Sequence, residues 1–301
     1  MIDLSHLQTE QRNPATMHLD QLTPLEIAQA MSREDGKAIA AVASTLPQIA
    51  TAMTWAAESF GDGGRLIYIG AGTSGRLGLL DAVECPPTFG VSANTVVGII
   101  AGGRDAFIAA KEGAEDDPDQ GKADLQEIDL SSVDLVVGLA ASGRTPYVAG
   151  ALEYARKLGC RTISIACVSD SKIGTIADLA IEAVTGPEVL TGSTRLKAGT
   201  AQKLILNMIS TGSMTLSGKV YQNLMVDVKQ SNEKLRSRAM GIIMAATDCC
   251  EKRAAEALAD AEGNVKIALT SILLNTTTKD AREALAASEG HVRRATEQGG
   301  D

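Results

Sequence analysis

The stretch RLIYIGAGTSGRLGLLDAVECPP, residues 65–87, decides how the rest of the chain is read. An apolar run at 65–70 ends on a glycine-rich turn, and a helical pattern follows from about 74 to 84. A strand leading through glycines into a helix is where α/β proteins hold phosphate, because helix N-termini present free N–H groups there. This loop lacks the lysine that a P-loop carries after its last glycine, and its G-x-G spacing breaks off at Ser74-Gly75. The helix is expected to stop at Cys85-Pro86-Pro87, which leaves Glu84 in its last turn.

Downstream, short apolar runs alternate with amphipathic stretches. The runs TVVGII (95–100), VDLVVGLA (133–140), RTISIAC (161–167) and LAIEAV (179–184) read as strands. Helices are expected at about 104–113, 120–127 and 146–158, with a long one at 194–217 opened by Ser193-Thr194 as caps. Such alternation marks βαβ units, so the expected fold class is α/β, a doubly wound parallel sheet. Upstream, Thr23-Pro24-Leu25-Glu26 forms a capping box that starts a helical region reaching to about residue 60, interrupted near Pro47 and ended by GDGG at 61–64. The first twenty residues are polar and carry Asn13-Pro14, which fits either a disordered terminus or an extended arm over a neighbouring subunit.

From about residue 240 the chain becomes alanine-rich and helical, and EALADAEGNVKIA (256–268) returns as EALAASEGHVRRA (283–295), an offset of 27 residues. Each copy reads as a helix, a Glu-Gly turn and a second helix, giving a small domain of three or four helices suited to packing or dimer support. The expected division is an N-terminal arm with helices at 1–60, an α/β domain at 61–238, and a small all-helical C-terminal domain at 239–301.

A length of 301 residues with 45% hydrophobic content suffices for a full-sized core. The net charge of -9 argues against a general nucleic-acid binder or a protein drawn to anionic membranes, since both need a basic face. Aromatics at 3% leave little for base stacking. The three histidines (His6, His18, His291) show no zinc-ligand spacing, so a histidine-rich metal site is not expected, and neither a metal nor a cofactor is assigned. Five cysteines without a C-x-x-C pair fit a reducing cytoplasm, and no apolar run reaches the roughly 18 residues of a membrane span. The start MIDLSHLQTEQRNP lacks the basic and apolar regions of a signal peptide.

Three strand-to-helix junctions carry hydroxyls: Gly72-Thr73-Ser74-Gly75; AASGRTPYV, with Ser142 and Thr145; and TGSTRLKAG, with Ser193 and Thr194. Each alone is an ordinary helix cap. Three in one domain, with Arg76, Arg144 or Lys197 nearby, form a nest for an anion held by amides and hydroxyls. The small glycine-lined loop leaves no room for an adenine or ribose, so a phosphorylated small molecule is expected rather than a dinucleotide.

The Ser-Gly-x-Thr-Pro start at 142–146, between the Gly-Thr-Ser loop and the Ser-Thr helix start, resembles the sugar isomerase domain that binds phosphosugars. Over nearly the whole chain, TEQRNPAT, RLIYIGAGTSGRLGLLDAVECPPTFGV, EGAEDD, AASGRTPYV, GPEVLTGSTRLKAGTAQK and NLMVDV resemble the N-acetylmuramic acid 6-phosphate etherase family. Val83 and Arg104 depart from the family pattern, at positions that are neither acidic nor hydroxylated. The resemblance implies removal of the D-lactyl ether from the sugar 6-phosphate, giving N-acetylglucosamine 6-phosphate and lactate in peptidoglycan recycling.

That chemistry needs one acid and one base. Glu84 suits the acid, because a helix end and apolar neighbours both disfavour its charged form. The resemblance places the second carboxylate at Glu115; by spacing alone EGAEDD is a solvated acidic loop. Ten residues of helix between Ser74 and Glu84 rise about 15 Å, longer than one hexose phosphate spans. Unless Gly78 breaks the helix, Glu84 then serves a site completed by a second subunit, and a homodimer with shared sites is expected. The alternative function is a non-catalytic phosphosugar sensor, since the glucokinase regulatory protein is similar in domain plan and regulates by binding; it needs the hydroxyl loops but no carboxylate pair. An aldose–ketose isomerase is a third option, but it calls for a histidine or lysine at ring opening, and no histidine lies between 18 and 291.

Overall fold

The structure is a computed structural model that describes residues 8–228 and 233–298. Its residues fall into two compact units, one built from residues up to 83 together with 93–210, the other from 84–92 together with 211 onward.

In the first unit, α1 (Pro24–Ala43) starts at the expected capping box: Thr23 accepts from the amide of Glu26, and the Glu26 carboxylate accepts from Thr23. The break at Pro47 separates it from α2 (Leu46–Gly61), where the proline occupies a first-turn position that needs no N–H. The chain then alternates β1 (Leu66–Gly70), α3 (Gly72–Phe89), β2 (Val96–Ile100), α4 (Asp105–Ile108), α5 (Pro118–Glu127), β3 (Leu135–Leu139), α6 (Pro146–Leu158), β4 (Arg161–Ala166), α7 (Lys172–Ile176), β5 (Leu179–Glu182) and α8 (Lys197–Leu216). The five strands are parallel in the order β2-β1-β3-β4-β5, with Gly70 beside Ile100 on one side and Leu139 on the other. The fold is the expected doubly wound α/β sheet.

Both faces of that sheet are covered, which is why its strands read as unbroken apolar runs. Ile67, Ile69 and Val136 pack with Tyr147, Val148 and Leu152 of α6. The alternate residues Tyr68 and Leu139 face α3, where a Cβ on Gly78 would come within 2.9 Å of Tyr68 and 3.0 Å of Leu139. Gly78 therefore admits the helix to the sheet rather than breaking it, and α3 is continuous through this position.

The N-terminal segment departs from both readings of it. Its first seven residues, His6 among them, lie outside the described residues. Residues 8–21 form three short 3-10 turns with Thr9 and Asn13 buried, packed on their own chain: Asn13 Nδ2 donates to Pro187 O at 3.1 Å and Thr16 Oγ to Val189 O at 2.9 Å.

The second unit holds the two-stranded antiparallel pair β6 (Val220–Tyr221) and β7 (Leu224–Met225), then α9 (Glu233–Thr247), α10 (Glu251–Asp260), α11 (Val265–Leu273), α12 (Thr278–Ala287) and α13 (Val292–Gln298). The repeat is physical. Glu262-Gly263 and Glu289-Gly290 all take left-handed φ values between 52 and 83, and the amides of Gly263 and Gly290 close on the carbonyls of Leu258 and Leu285, each at 2.8 Å. Among the described residues five helices follow β7 where three or four are expected, because α9 begins ahead of the alanine-rich tail. They enclose one apolar core that includes Ile243, Ala257, Leu269 and Leu285.

Candidate active site

The three hydroxylated junctions leave the same edge of the sheet, beyond the carboxyl ends of its strands, and bonds of the first unit tie them together. Cys167, at the exit of β4, donates its amide to Ala141 O at 2.9 Å in the Ser142 loop and its thiol to Ala198 O at 3.5 Å in α8. Ser74 Oγ meets Gln202 Oε1 at 2.8 Å, which joins the first loop to α8. The structure thus gathers Ser74, Ser142, Thr145, Ser193 and Thr194 at one edge.

Two glycines make the loops feasible. A Cβ on Gly75 would sit 2.6 Å from the carbonyl oxygen of Gly70, so the turn from β1 into α3 closes only on a bare backbone. Gly143 has φ +70, and its carbonyl accepts from Ile173 at 3.0 Å, which turns the chain back toward Thr145.

The hydroxyls differ in what they already do. Ser74 is buried and committed to Gln202. Thr145 precedes α6 but makes no capping bond with its side chain, so the start of this 13-residue helix is left uncapped. Ser142 is half-buried beside it. Ser193 and Thr194 are half-buried in turns; the helix begins only at Lys197, and Thr194 meets it through its carbonyl, which accepts from Gly199 N at 3.0 Å. The cap is the buried carboxylate of Glu188, which accepts from Ala198 N at 2.9 Å and from Lys197 N at 3.3 Å.

Two of the three cations expected near the anion are committed to structure. Arg76 donates to the carbonyls of Ala106 and Phe107 at 2.7 and 2.9 Å. Lys197 is 1% exposed and its Nζ lies 2.6 Å from Glu34 Oε2. Burial works against the Glu34 carboxylate, but hydrogen bonds from Lys197 and Lys37 and the Lys197 charge outweigh it and hold the carboxyl at about 2. Arg144 is half-buried and Arg195 exposed.

The carboxylates stand as follows. Glu115 is exposed, in a 3-10 turn Ala114–Asp116 of the first unit that follows Gly113 at φ +76. Glu84 belongs to the second unit and is exposed. The expectation that α3 ends just after it is wrong: the helix passes through Pro86 and Pro87 and ends at Phe89, with Gly90 at φ +68 as the stop. Prolines at 86 and 87 remove the N–H groups that would bond the carbonyls of Ala82 and Val83, a cost offset by burial. Cys85 and Phe89, one turn apart, are 2% and 5% exposed, and burying both requires the extra turn. Neither the helix end nor an apolar enclosure surrounds Glu84.

Glu188, Gln202 and the Asn13–Thr16 clamp were not singled out from sequence. Glu188 stands in a run of turn residues, GPEVLTGS, whose only signal is an acidic residue about ten positions ahead of a helix start. Among the described residues no group of three or more His, Cys, Asp or Glu could hold a metal ion, and no helix is long and apolar enough to cross a membrane.

Residues 48–156 match the family model for the glucokinase regulatory protein N-terminal SIS domain, and residues 122–211 that for the SIS domain. A phosphosugar isomerase assignment involved in capsule formation, from Bacteroides fragilis, belongs to a solved structure that shares the fold at 18% identity and a TM-score of 0.51, over 67% of this chain and 95% of that one. The chain is 54% identical to an N-acetylmuramic acid 6-phosphate etherase of Vibrio campbellii over 98% of its own length and 96% of the relative's. It is 56% identical to one of Pectobacterium atrosepticum over 98% and 97%. With more than half of all residues shared from end to end, and the hydroxylated sheet edge intact, the chain belongs to the N-acetylmuramic acid 6-phosphate etherase family.

Proposed function

We propose that the protein cleaves the D-lactyl ether of N-acetylmuramic acid 6-phosphate to N-acetylglucosamine 6-phosphate and D-lactate, as a carbon–oxygen lyase in the recycling of cell-wall amino sugars. The observation that carries this is the near end-to-end identity of 54–56% to proteins of that name. The gathered hydroxyls support a phosphosugar ligand: Ser142 and Thr145 at the uncapped start of α6, with Ser74, Ser193 and Thr194, take the 6-phosphate.

With the sugar ring open, the C1 aldehyde acidifies the proton on C2. The Glu115 carboxylate removes it, the electrons form a C2–C3 double bond as the C3–O bond breaks, and Glu84 gives a proton to the departing lactate oxygen. Water then adds at C3, giving a proton back to the Glu84 carboxylate, while Glu115 returns a proton to C2. The continuity of α3 through Gly78 keeps ten residues of helix between Ser74 and Glu84, which supports a homodimer in which one chain brings Glu84 to the phosphate loops of the other. The segment from 239 on, as a separate small domain, would support that pairing. The cysteines form no disulfide among the described residues, which fits a reducing cytoplasm.

A phosphosugar sensor would need the hydroxyl loops and neither carboxylate, and is not favoured. Incubation with N-acetylmuramic acid 6-phosphate and assay of lactate separates the two: stoichiometric lactate is expected, and tight binding without lactate would overturn the assignment.

A further inference from the structure

Residues 183–196 lead from β5 to α8, carry Ser193 and Thr194, and have no helix or strand of their own. Bonds from two directions fix this segment. From outside, Asn13 and Thr16 hold the carbonyls of Pro187 and Val189 at 3.1 and 2.9 Å. Between those two residues the side chain of Glu188 is fully buried, and its two oxygens take the amides of Ala198 and Lys197 at 2.9 and 3.3 Å. One carboxylate therefore closes the excursion 189–196 at its base. The adjoining Lys197 is anchored in turn by Glu34 at 2.6 Å.

A cavity of about 350 Å³, lined by Arg12, Asn13, Thr16, Val189 and Thr191 among others, lies alongside, so side-chain packing does not back the segment there. Within the loop there are turn bonds, such as Ser193 N to Leu190 O at 3.0 Å and Leu196 N to Ser193 O at 3.2 Å, and Thr194 O accepts from Gly199 N at 3.0 Å in the first turn of α8. A helix start is also where a phosphate would otherwise lodge, and here the first amides of α8 are filled by the protein's own carboxylate.

We infer that Glu188 is a positioning residue of the phosphate site: by holding the first amides of α8 it sets the loop that presents Ser193 and Thr194, and it leaves the phosphate to their hydroxyls. This rests on the reading that those hydroxyls bind the 6-phosphate. Burial pushes the Glu188 carboxyl up, against the amide bonds that pull it down, so the group is kept in place at a cost that the loop geometry repays.

The test is steady-state kinetics of Glu188→Gln, with inorganic phosphate as a competitive inhibitor. The amide keeps the shape but puts an NH2 donor in place of one of the two accepting oxygens and removes the charge, and hydrogen bonds to a charged acceptor are worth enough that KM and the phosphate inhibition constant should both rise about tenfold. The kcat should stay within about threefold, since no reacting atom is touched. Thr16→Val, which removes the outer bond to Val189 and a weaker one to Asn13 O at 3.5 Å, should move the same two constants in the same direction and carries the test if Glu188→Gln does not fold. Ser193→Ala separates the two levels of the claim. If it leaves both constants unchanged, the phosphate reading itself fails. If it raises them while folded Glu188→Gln and Thr16→Val do not, the positioning role alone is overturned. A loss of kcat of about a hundredfold or more at unchanged KM in Glu188→Gln would place Glu188 at the chemistry and also overturn it.

Discussion

The hydroxyl of Ser74 lies 2.8 Å from Oε1 of Gln202, with both residues buried, so this side-chain bond fastens the turn after β1 to α8. The Nε2 of Gln202 has no partner in this arrangement. Exchanging the two ends of the amide would let Nε2 donate to Ser74 and release the Ser74 proton toward a phosphate oxygen. Gln202→Glu removes that option, because a carboxylate only accepts, and adds a negative charge beside the dianion. KM should rise by about tenfold or more while the fold is kept. An unchanged KM in a folded Gln202→Glu protein would show that Ser74 does not reach the phosphate.

Ser142 should matter more directly, being half-buried beside the uncapped start of α6. Ser142→Ala is expected to weaken binding of the phosphosugar about tenfold with little change in thermal stability. Equal affinity for phosphorylated and unphosphorylated sugar ratios in wild type and variant, measured by calorimetry, would remove Ser142 from the site.

The Glu34–Lys197 pair makes a prediction about acid stability. The Glu34 carboxyl ordinarily titrates near 4.5 and is held at about 2 in the folded chain, so the stabilisation is fully present above pH 4.5 and is lost as pH falls toward 2. Lys197→Met leaves the buried Glu34 carboxylate with Lys37 as its remaining cation and should cost about 2 kcal/mol at neutral pH. The variant should lose less stability than the parent between pH 4.5 and 2. Denaturant melts across that range measure this, and parallel curves for the two proteins would contradict it.

The sheet was legible because its central strands β1, β3 and β4 are buried on both faces, and the five apolar runs bracket β1 to β5 to within two residues at each end. The capping box at Thr23 and the Glu-Gly turns of the repeat were legible for the same kind of reason, since each is a local bond pattern written in adjacent residues. What could not be read depends on contacts distant in sequence. Pro86-Pro87 is a stop signal locally, and only the burial of Cys85 and Phe89 carries the helix past it. Lys197 looked like a cation offered to a ligand, whereas its partner, Glu34, lies 163 residues away. Ser193 and Thr194 looked like helix caps, but Glu188 already holds the amides they would have capped.

A site shared between two chains can be tested by complementation. Glu84→Gln and Ser142→Ala chains, each assayed at a substrate level where it is silent alone, should regain activity when mixed and allowed to exchange subunits, because one site of each heterodimer is then intact. Mixtures shown to contain heterodimers yet giving no activity would mean that Glu84 and Ser142 act within one chain.

The central claim is that the ether breaks by elimination through C2, driven by Glu84 and Glu115, and reaction in deuterated water tests it most directly. Glu115 is exposed, so the proton it takes exchanges with solvent, and wild-type protein should release N-acetylglucosamine 6-phosphate that carries deuterium at C2. Glu84→Gln and Glu115→Gln should each release lactate about 10² to 10⁴ times more slowly. In Glu115→Gln the C2 exchange should disappear with the lactate, while Glu84→Gln should keep some exchange without releasing lactate. Lactate released by the wild-type protein with C2 still fully protiated, or C2 exchange at the wild-type rate in both variants, would contradict the account.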